Sequence, residues 1–173
     1  MDKLTALSLS IGLLAGVATF LAVGPLSGVF LIWAATIPWA AYFLLGANKE
    51  ALVNTIVCSI FGVVLAWVAA LILTETSTEA APGFPVMAGI TVLVSVVVLC
   101  LAARIPQLGA IPVSVLGYSS TFAYLLQTPD RLTQDVLLGA TLHNPLILIS
   151  ISIVFGTFLG QWSGQLAAKW TKE

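Results

Sequence analysis

The sequence of 173 residues is too apolar for a soluble domain, with 60% hydrophobic and 8% charged residues against about 45–50% and 25% in soluble proteins. The mean hydropathy is +1.10. A net charge of −1, from six basic and seven acidic residues, excludes the basic surface of a nucleic-acid-binding protein. The sequence therefore predicts one compact domain whose surroundings are a lipid bilayer.

Six uncharged, apolar stretches predict an all-α, polytopic membrane protein with six transmembrane helices. Each is close to the length of about 20 residues that crosses the hydrocarbon layer. The six spans are residues 4–23, 26–46, 51–73, 84–103, 108–126 and 145–167. Their length and the absence of strict alternation favour helices over barrel strands. We expect the first span to be a retained helix rather than a signal peptide, because its apolar run is long.

The distribution of basic residues predicts that both termini lie in the cytoplasm. Cytoplasmic loops carry an excess of Lys and Arg. With the N-terminus inside, five of the six basic residues are cytoplasmic and only Arg131 lies outside. The five are Lys3, Lys49, Arg104, Lys169 and Lys172.

The two halves of the chain resemble each other and predict a three-plus-three inverted repeat. Residues 41–44 match residues 123–126, and the Phe61–Gly62 pair matches Phe155–Gly156 in the same order. Because each half has three helices, the second half would enter the membrane from the opposite side. Within one transmembrane domain, 1–173, we predict repeat units at 1–75 and 84–173, with an outer-face helical insertion at 127–144 that starts after Thr128.

Small residues at four-residue spacing predict close helix packing in three spans. This spacing places them on one helix face, where two backbones can approach each other closely. The packing residues are Ser8, Gly12 and Gly16 in the first span, Cys58, Gly62 and Ala66 in the third, and Ser152, Gly156, Gly160 and Gly164 in the sixth. The spacing leaves open whether the contacts lie within one chain or between subunits. We expect a homo-oligomer, since a six-helix bundle has little interior.

Proline and polar residues interrupt the second and fifth spans at corresponding places and predict the functional site. A proline inside a helix frees a carbonyl group, and matching interruptions in two halves are typical of membrane binding sites. The predicted lining residues are Thr36, Pro38, Trp39 and Tyr42 in the second span and Tyr118, Ser119, Ser120 and Thr121 in the fifth. Trp39 and Tyr118 are the candidates for an aromatic constriction. The alternative is a structural kink whose hydroxyls bond to their own backbone.

The sequence contains no catalytic, phosphate-binding or dinucleotide-binding motif, so we expect neither an enzyme nor a cofactor. A single histidine, His143, without a cluster of cysteines or carboxylates predicts no metal site. No carboxylate lies within a span, which argues against proton coupling. The leading hypothesis is a channel or facilitator for a small uncharged polar solute such as urea, an amide or ammonia. The alternatives are an ion- or proton-coupled transporter or exporter, and a structural or accessory oligomer without transport.

The chain resembles an uncharacterised family of bacterial inner-membrane proteins, domain-of-unknown-function family 1097, in its six spans and in the stretch 33–43. The resemblance implies a multi-pass protein of the bacterial cytoplasmic membrane and supplies no activity. The layout is also similar to six-helix urea and amide channels. Aquaporins carry a pair of Asn-Pro-Ala motifs, whereas here Asn144-Pro145-Leu146 occurs once, at the end of a span.

Overall fold

The computed structural model describes residues 1–75 and 83–171, and these fold into helices joined by turns. The helices are α1 (Lys3–Val23), α2 (Ile32–Leu44), α3 (Lys49–Glu75), α4 (Phe84–Leu101), α5 (Ile111–Gln127), α6 (Gln134–Leu138) and α7 (Pro145–Trp170). Two 3-10 turns, Ala102–Arg104 and Pro106–Leu108, connect α4 to α5. Since the described residues include no β-strand, the all-α prediction is confirmed for them. Lys172, which the sequence assigns to the cytoplasm, lies outside the described residues.

Four of the described helices are long and apolar enough to cross a membrane. They are Lys3–Val23, Lys49–Glu75, Phe84–Arg104 and Pro145–Trp170. By contrast, α2 has 13 residues and α5 has 17, fewer than the about 20 that a full crossing requires. The second and fifth spans are therefore shorter helices than the sequence predicts.

The second span loses its first residues to a turn between α1 and α2. The backbone N–H of Gly24 donates to the carbonyl of Phe20 at the end of α1, and Pro25 follows directly. Gly28 has a φ of +83°, a conformation that glycine adopts without steric cost. Residues 24–31 are therefore apolar but not helical, and α2 begins at Ile32.

The fifth span is not broken by a proline inside its helix, which corrects the predicted interruption. Pro106 lies in a 3-10 turn before α5, and Pro112 lies in the first turn of α5. The N–H groups of a first helical turn have no partner within the helix, so proline there removes no hydrogen bond. Pro38, in contrast, lies inside α2 and deprives the carbonyl of Ala34 of its usual N–H donor.

The chain packs as two compact units. The first unit consists of Met1–Ile56 and Ile151–Glu173, and the second of Val57–Ser150. The first unit contains α1, α2 and most of α7, whereas the second contains most of α3 together with α4, α5 and α6. Each predicted repeat thus contributes its first two helices to one unit and its third helix to the other.

Both ends of the described chain meet in the first unit. The amino group of Met1 donates a hydrogen bond to the carbonyl of Trp170 at 3.2 Å, so the start of α1 lies beside the end of α7. Asp2 caps α1 by accepting hydrogen bonds from the hydroxyl and the backbone N–H of Thr5, at 2.6 and 3.0 Å. These bonds, the hydroxyl bond most strongly, hold the pKa of the Asp2 carboxyl below its ordinary value.

The predicted outer insertion contains α6, a helix of five residues. Its cap is Thr133, whose hydroxyl accepts from the backbone N–H of Val136 at 3.4 Å. The predicted start after Thr128 is wrong, because Asp130 adopts a left-handed φ of 57° that no helix can continue through.

Side chains of α3 and α5, together with Asn144 just before α7, fix this outer segment within the second unit. The indole N–H of Trp67 and the side-chain amide of Asn144 both donate to the carbonyl of Leu137, each at 2.8 Å. The hydroxyl of Tyr124 donates to the carbonyl of His143 at 3.0 Å. Side-chain N–H and O–H groups thus donate to backbone carbonyls of the segment and hold it in the second unit.

Candidate functional site

The eight predicted lining residues are divided between the two units, and some are buried while others are exposed. Thr36, Pro38, Trp39 and Tyr42 lie on α2 in the first unit, and Tyr118, Ser119, Ser120 and Thr121 lie on α5 in the second. Six of them are buried, but Thr36 and Ser119 are exposed. The hydroxyl of Thr36 donates to the carbonyl of Trp33 at 2.9 Å. These two residues therefore lie on the outward side of their helices, whereas the other six are buried within their units.

Trp39 is the central packing residue of the first unit. Its indole is 5% exposed and packs with Ala18 and Leu159 and with partly buried apolar side chains of α1, α2 and α7. The indole N–H donates to the hydroxyl of Ser163 at 3.1 Å, and that hydroxyl donates to the carbonyl of Gly160 at 2.8 Å. Both the apolar ring and its one donor therefore have partners in the protein, as is usual for a buried tryptophan.

Helices α2 and α7 pack side by side and run in the same direction. The backbone N–H of Leu31, just before α2, donates to the hydroxyl of Ser152 at 2.9 Å. One turn further along, a β-carbon placed on Gly156 would lie 1.8 Å from the carbonyl oxygen of Ala35. The contacts of the next turn join Gly160 to Trp39 and Tyr42, and those of the last join Gly164 to Phe43. The small-residue face of α7 is therefore occupied by α2 along its whole length.

The small residues of α1 make no such contact with the described chain. Ser8, Gly12 and Gly16 are exposed, and a β-carbon placed on either glycine would meet no atom within 4 Å. The fully buried residues of α1 are instead Ala6, Ser10 and Ala18. The predicted packing face of α1 thus lies outside the chain's own interior.

Tyr118 is a central packing residue of the second unit. It is 7% exposed and packs with Ala66 and Leu99. Its hydroxyl lies 2.7 Å from the hydroxyl of Ser95, which donates its own proton to the carbonyl of Val92 at 3.1 Å. Tyr118 is therefore the donor to Ser95, and this bond ties α5 to α4.

Replacing Tyr118 with phenylalanine is expected to lower the free energy of unfolding by about 1 kcal/mol, the net contribution of one neutral hydrogen bond. The apolar contacts of the ring remain, and Ser95 keeps its bond to Val92. Thermal and denaturant unfolding in detergent micelles measures the loss. Ser119→Ala, which removes an exposed hydroxyl from the same helix, is the control and should change nothing. A loss of more than about 3 kcal/mol would contradict the assignment, since it exceeds the range for a single such bond.

Helices α3 and α5 approach each other most closely at two glycines. A β-carbon placed on Gly62 would lie 1.9 Å from the carbonyl oxygen of Ser114, and one placed on Gly117 would lie 1.9 Å from the carbonyl oxygen of Ser59. No side chain fits at either position, so the backbones themselves are in contact. The four-residue spacing of small residues predicts Gly62 as a packing residue but does not include Gly117. The repeat alignment contained a signal for it, because it pairs Gly117 with Ala35, the residue that contacts Gly156.

Besides Tyr118 and Tyr124, the buried residues of α5 include three Ser or Thr side chains, Ser114, Ser120 and Thr121, which are 1%, 2% and 0% exposed. Thr121 donates to the carbonyl of Gly117 at 3.0 Å. The hydroxyl of Ser114, in contrast, is buried without a hydrogen-bond partner in the described part of the chain. Such a group destabilises a folded protein by about 1–3 kcal/mol. It is the polar feature of α5 that packing does not explain.

The groups on the buried face of α5 can bind a ligand only through neutral hydrogen bonds. From Ile111 to Gln127 the helix has no charged residue. The described residues hold no group of three or more His, Cys, Asp or Glu side chains placed to bind a metal ion. The arrangement therefore suits a small neutral molecule that both donates and accepts hydrogen bonds.

Residues 8–168 match the family described as protein of unknown function, DUF1097. The chain belongs to this family. The match covers both units, including α2, α5 and the outer segment, so membership in DUF1097 confirms the resemblance that the sequence analysis drew. No curated protein and no solved structure matches the chain.

Proposed function

We propose that the protein is a passive membrane facilitator for a small, uncharged, polar solute. The observation that carries this proposal is the buried hydroxyl face of α5, where Ser114 has no partner in the described chain. A neutral polar solute must exchange its hydrogen bonds with water for bonds with protein as it crosses. Urea, a short amide or ammonia has the donors and acceptors for this exchange and requires no counter-charge. The neighbouring helices α3 and α4 are apolar, and the charged residues of α3 lie only at its ends, so they would exclude ions.

The proposal includes six membrane crossings with both termini in the cytoplasm. In such a topology the second and sixth spans run in one direction, and the third and fifth run in the other. The parallel contacts of α2 with α7 support the first of these pairs. The hydrogen bond between Met1 and Trp170 supports two ends on the same side. The excess of basic residues supports the cytoplasm as that side, and the family resemblance supports the inner membrane of a bacterium.

Solute flux in proteoliposomes tests the function directly. Vesicles with purified protein are mixed with gradients of urea, acetamide or ammonia, and stopped-flow light scattering records their volume. We expect at least one solute to cross several-fold faster than in protein-free vesicles made from the same lipid. Equal rates for every solute would remove the proposal. Uptake against a gradient, driven by an imposed pH or sodium difference, would instead favour a coupled transporter.

A structural or accessory role without transport is the second candidate, and a different observation favours it. At least seven hydroxyls within the helices donate to a carbonyl three or four residues earlier in their own helix: those of Ser10, Thr36, Thr74, Ser95, Thr121, Thr157 and Ser163. Such bonds are typical of hydroxyls that serve the backbone and not a solute. In this role the chain would form a homo-oligomer, with the exposed face of Ser8, Gly12 and Gly16 available for contact. It predicts folded, assembled protein without flux.

A further inference from the structure

We propose that Ser59 and Ser114 form the hydrogen-bonding station at which the solute is recognised. This inference rests on the proposed function and adds the residues that recognise the solute and the chemistry they select. The two serines lie where α3 and α5 cross, both within the second unit. Neither belongs to the set of lining residues that the sequence predicts.

The station has more hydrogen-bonding capacity than the described chain uses. Both serines are 1% exposed. The hydroxyl of Ser59 donates to the carbonyl of Val113 at 3.4 Å, well beyond the about 2.7–2.8 Å of an ordinary O–H···O bond, and the hydroxyl of Ser114 has no partner there. Each hydroxyl offers one donor and two acceptor lone pairs. One long bond therefore leaves most of this capacity for a ligand.

The local backbone explains why Ser114 does not satisfy itself. A serine within a helix usually donates to the carbonyl three or four residues earlier, as Ser163 does to Gly160 at 2.8 Å. For Ser114 the carbonyl four residues earlier is that of Ala110. It already accepts the backbone N–H groups of Val113 and Ser114, at 3.0 and 3.2 Å. With both lone pairs of Ala110 engaged, the hydroxyl of Ser114 is left to bond elsewhere.

Helix packing does not require either hydroxyl. The close approach of α3 and α5 comes from Gly62 and Gly117, whose missing β-carbons let the backbones touch. Alanine at 59 or 114 would keep the same backbone contacts and remove a buried polar group. Since helix packing does not need these two hydroxyls, both are available to bind a ligand.

The station selects a solute by hydrogen bonding and size. A ligand that satisfies both serines donates to a hydroxyl oxygen and accepts a hydroxyl proton, as urea and primary amides do through N–H and C=O groups. Contact between the backbones beside the station limits the ligand to a few heavy atoms. The station therefore fits urea or a short primary amide.

The test compares three single variants in the flux assay: Ser114→Ala, Ser59→Ala and the control Ser27→Ala, which removes an exposed hydroxyl from the turn between α1 and α2. Ser114→Ala should fold with an unchanged or higher thermal midpoint, because it removes a hydroxyl that has no partner. We expect Ser114→Ala to slow urea or acetamide flux about fivefold or more, the weight of one neutral hydrogen bond. Ser59→Ala should also slow it, and Ser27→Ala should leave it at the wild-type rate.

The outcomes separate the station from the function. If the wild type transports the solute and both Ser114→Ala and Ser59→Ala transport it at the same rate, the station is overturned and the function stands. A trapped water that bonds to the hydroxyls without any role in transport would give this result. If the wild type shows no flux, the function fails, and stabilisation by millimolar acetamide then decides the station. A rise in thermal midpoint that Ser114→Ala abolishes and Ser27→Ala retains would support it. No rise in the wild type would overturn it.

Discussion

Replacing Gly156 with alanine is expected to lower the free energy of unfolding by about 3 kcal/mol, the upper range for overpacking a tight interior. The new β-carbon would lie 1.8 Å from the carbonyl oxygen of Ala35. That atom belongs to the backbone of α2 and cannot rotate away, so the two parallel helices must separate. Thermal unfolding in detergent micelles, followed by circular dichroism, measures the loss.

The matched control is Gly12→Ala in α1. A β-carbon at this position meets no atom within 4 Å, and alanine favours the helix over glycine by about 0.5–1 kcal/mol. Gly12→Ala should therefore be neutral or slightly stabilising. If the two variants unfolded alike, the close contact between α2 and α7 would be wrong.

Replacing Trp39 with alanine is expected to cost about 3–5 kcal/mol, the usual range for deleting a large buried aromatic side chain. The indole is 5% exposed and fills the space between three helices. Trp39→Phe separates packing from hydrogen bonding. It keeps a ring in place and loses the bond to Ser163, so about 1 kcal/mol should be lost. Denaturant titration in micelles gives both values.

Trp162→Ala controls for the general loss of a tryptophan. Trp162 is 46% exposed, and its removal should cost well under half as much as that of Trp39. Equal losses in the two alanine variants would mean that the environment of Trp39 is not the core described here. Flux measured on Trp39→Phe would show in addition whether the bond to Ser163 affects transport.

The apolar composition predicted the helices well because it indicates that lipid surrounds the chain. Each of the six apolar stretches contains one helix, since a chain in lipid must satisfy its backbone internally. The helix ends were less predictable. Residues 26–31 are as apolar as the helix that follows, yet Pro25 and Gly28 direct them into a turn, and hydropathy does not register this difference.

The candidate site was only partly predictable, because a hydroxyl within an apolar helix can bond either to its own backbone or to a solute. Thr36 and Thr121 look alike in the sequence, and both donate to their own backbone, but one is exposed and the other buried. Spacing cannot distinguish them. Ser59 and Ser114 are far apart in sequence and belong to no motif, so only the contact between α3 and α5 brings them together.

The division of the chain has a consequence for its biogenesis. The second unit is one continuous stretch, Val57–Ser150, so all of its residues are synthesised before Ile151. The first unit joins α1 and α2 to α7, so it cannot close until the last helix has been inserted. Until then the face of α2 that contacts the glycines of α7 has no partner, and a chain released before Ile151 would contain the whole second unit and α1 and α2 without α7.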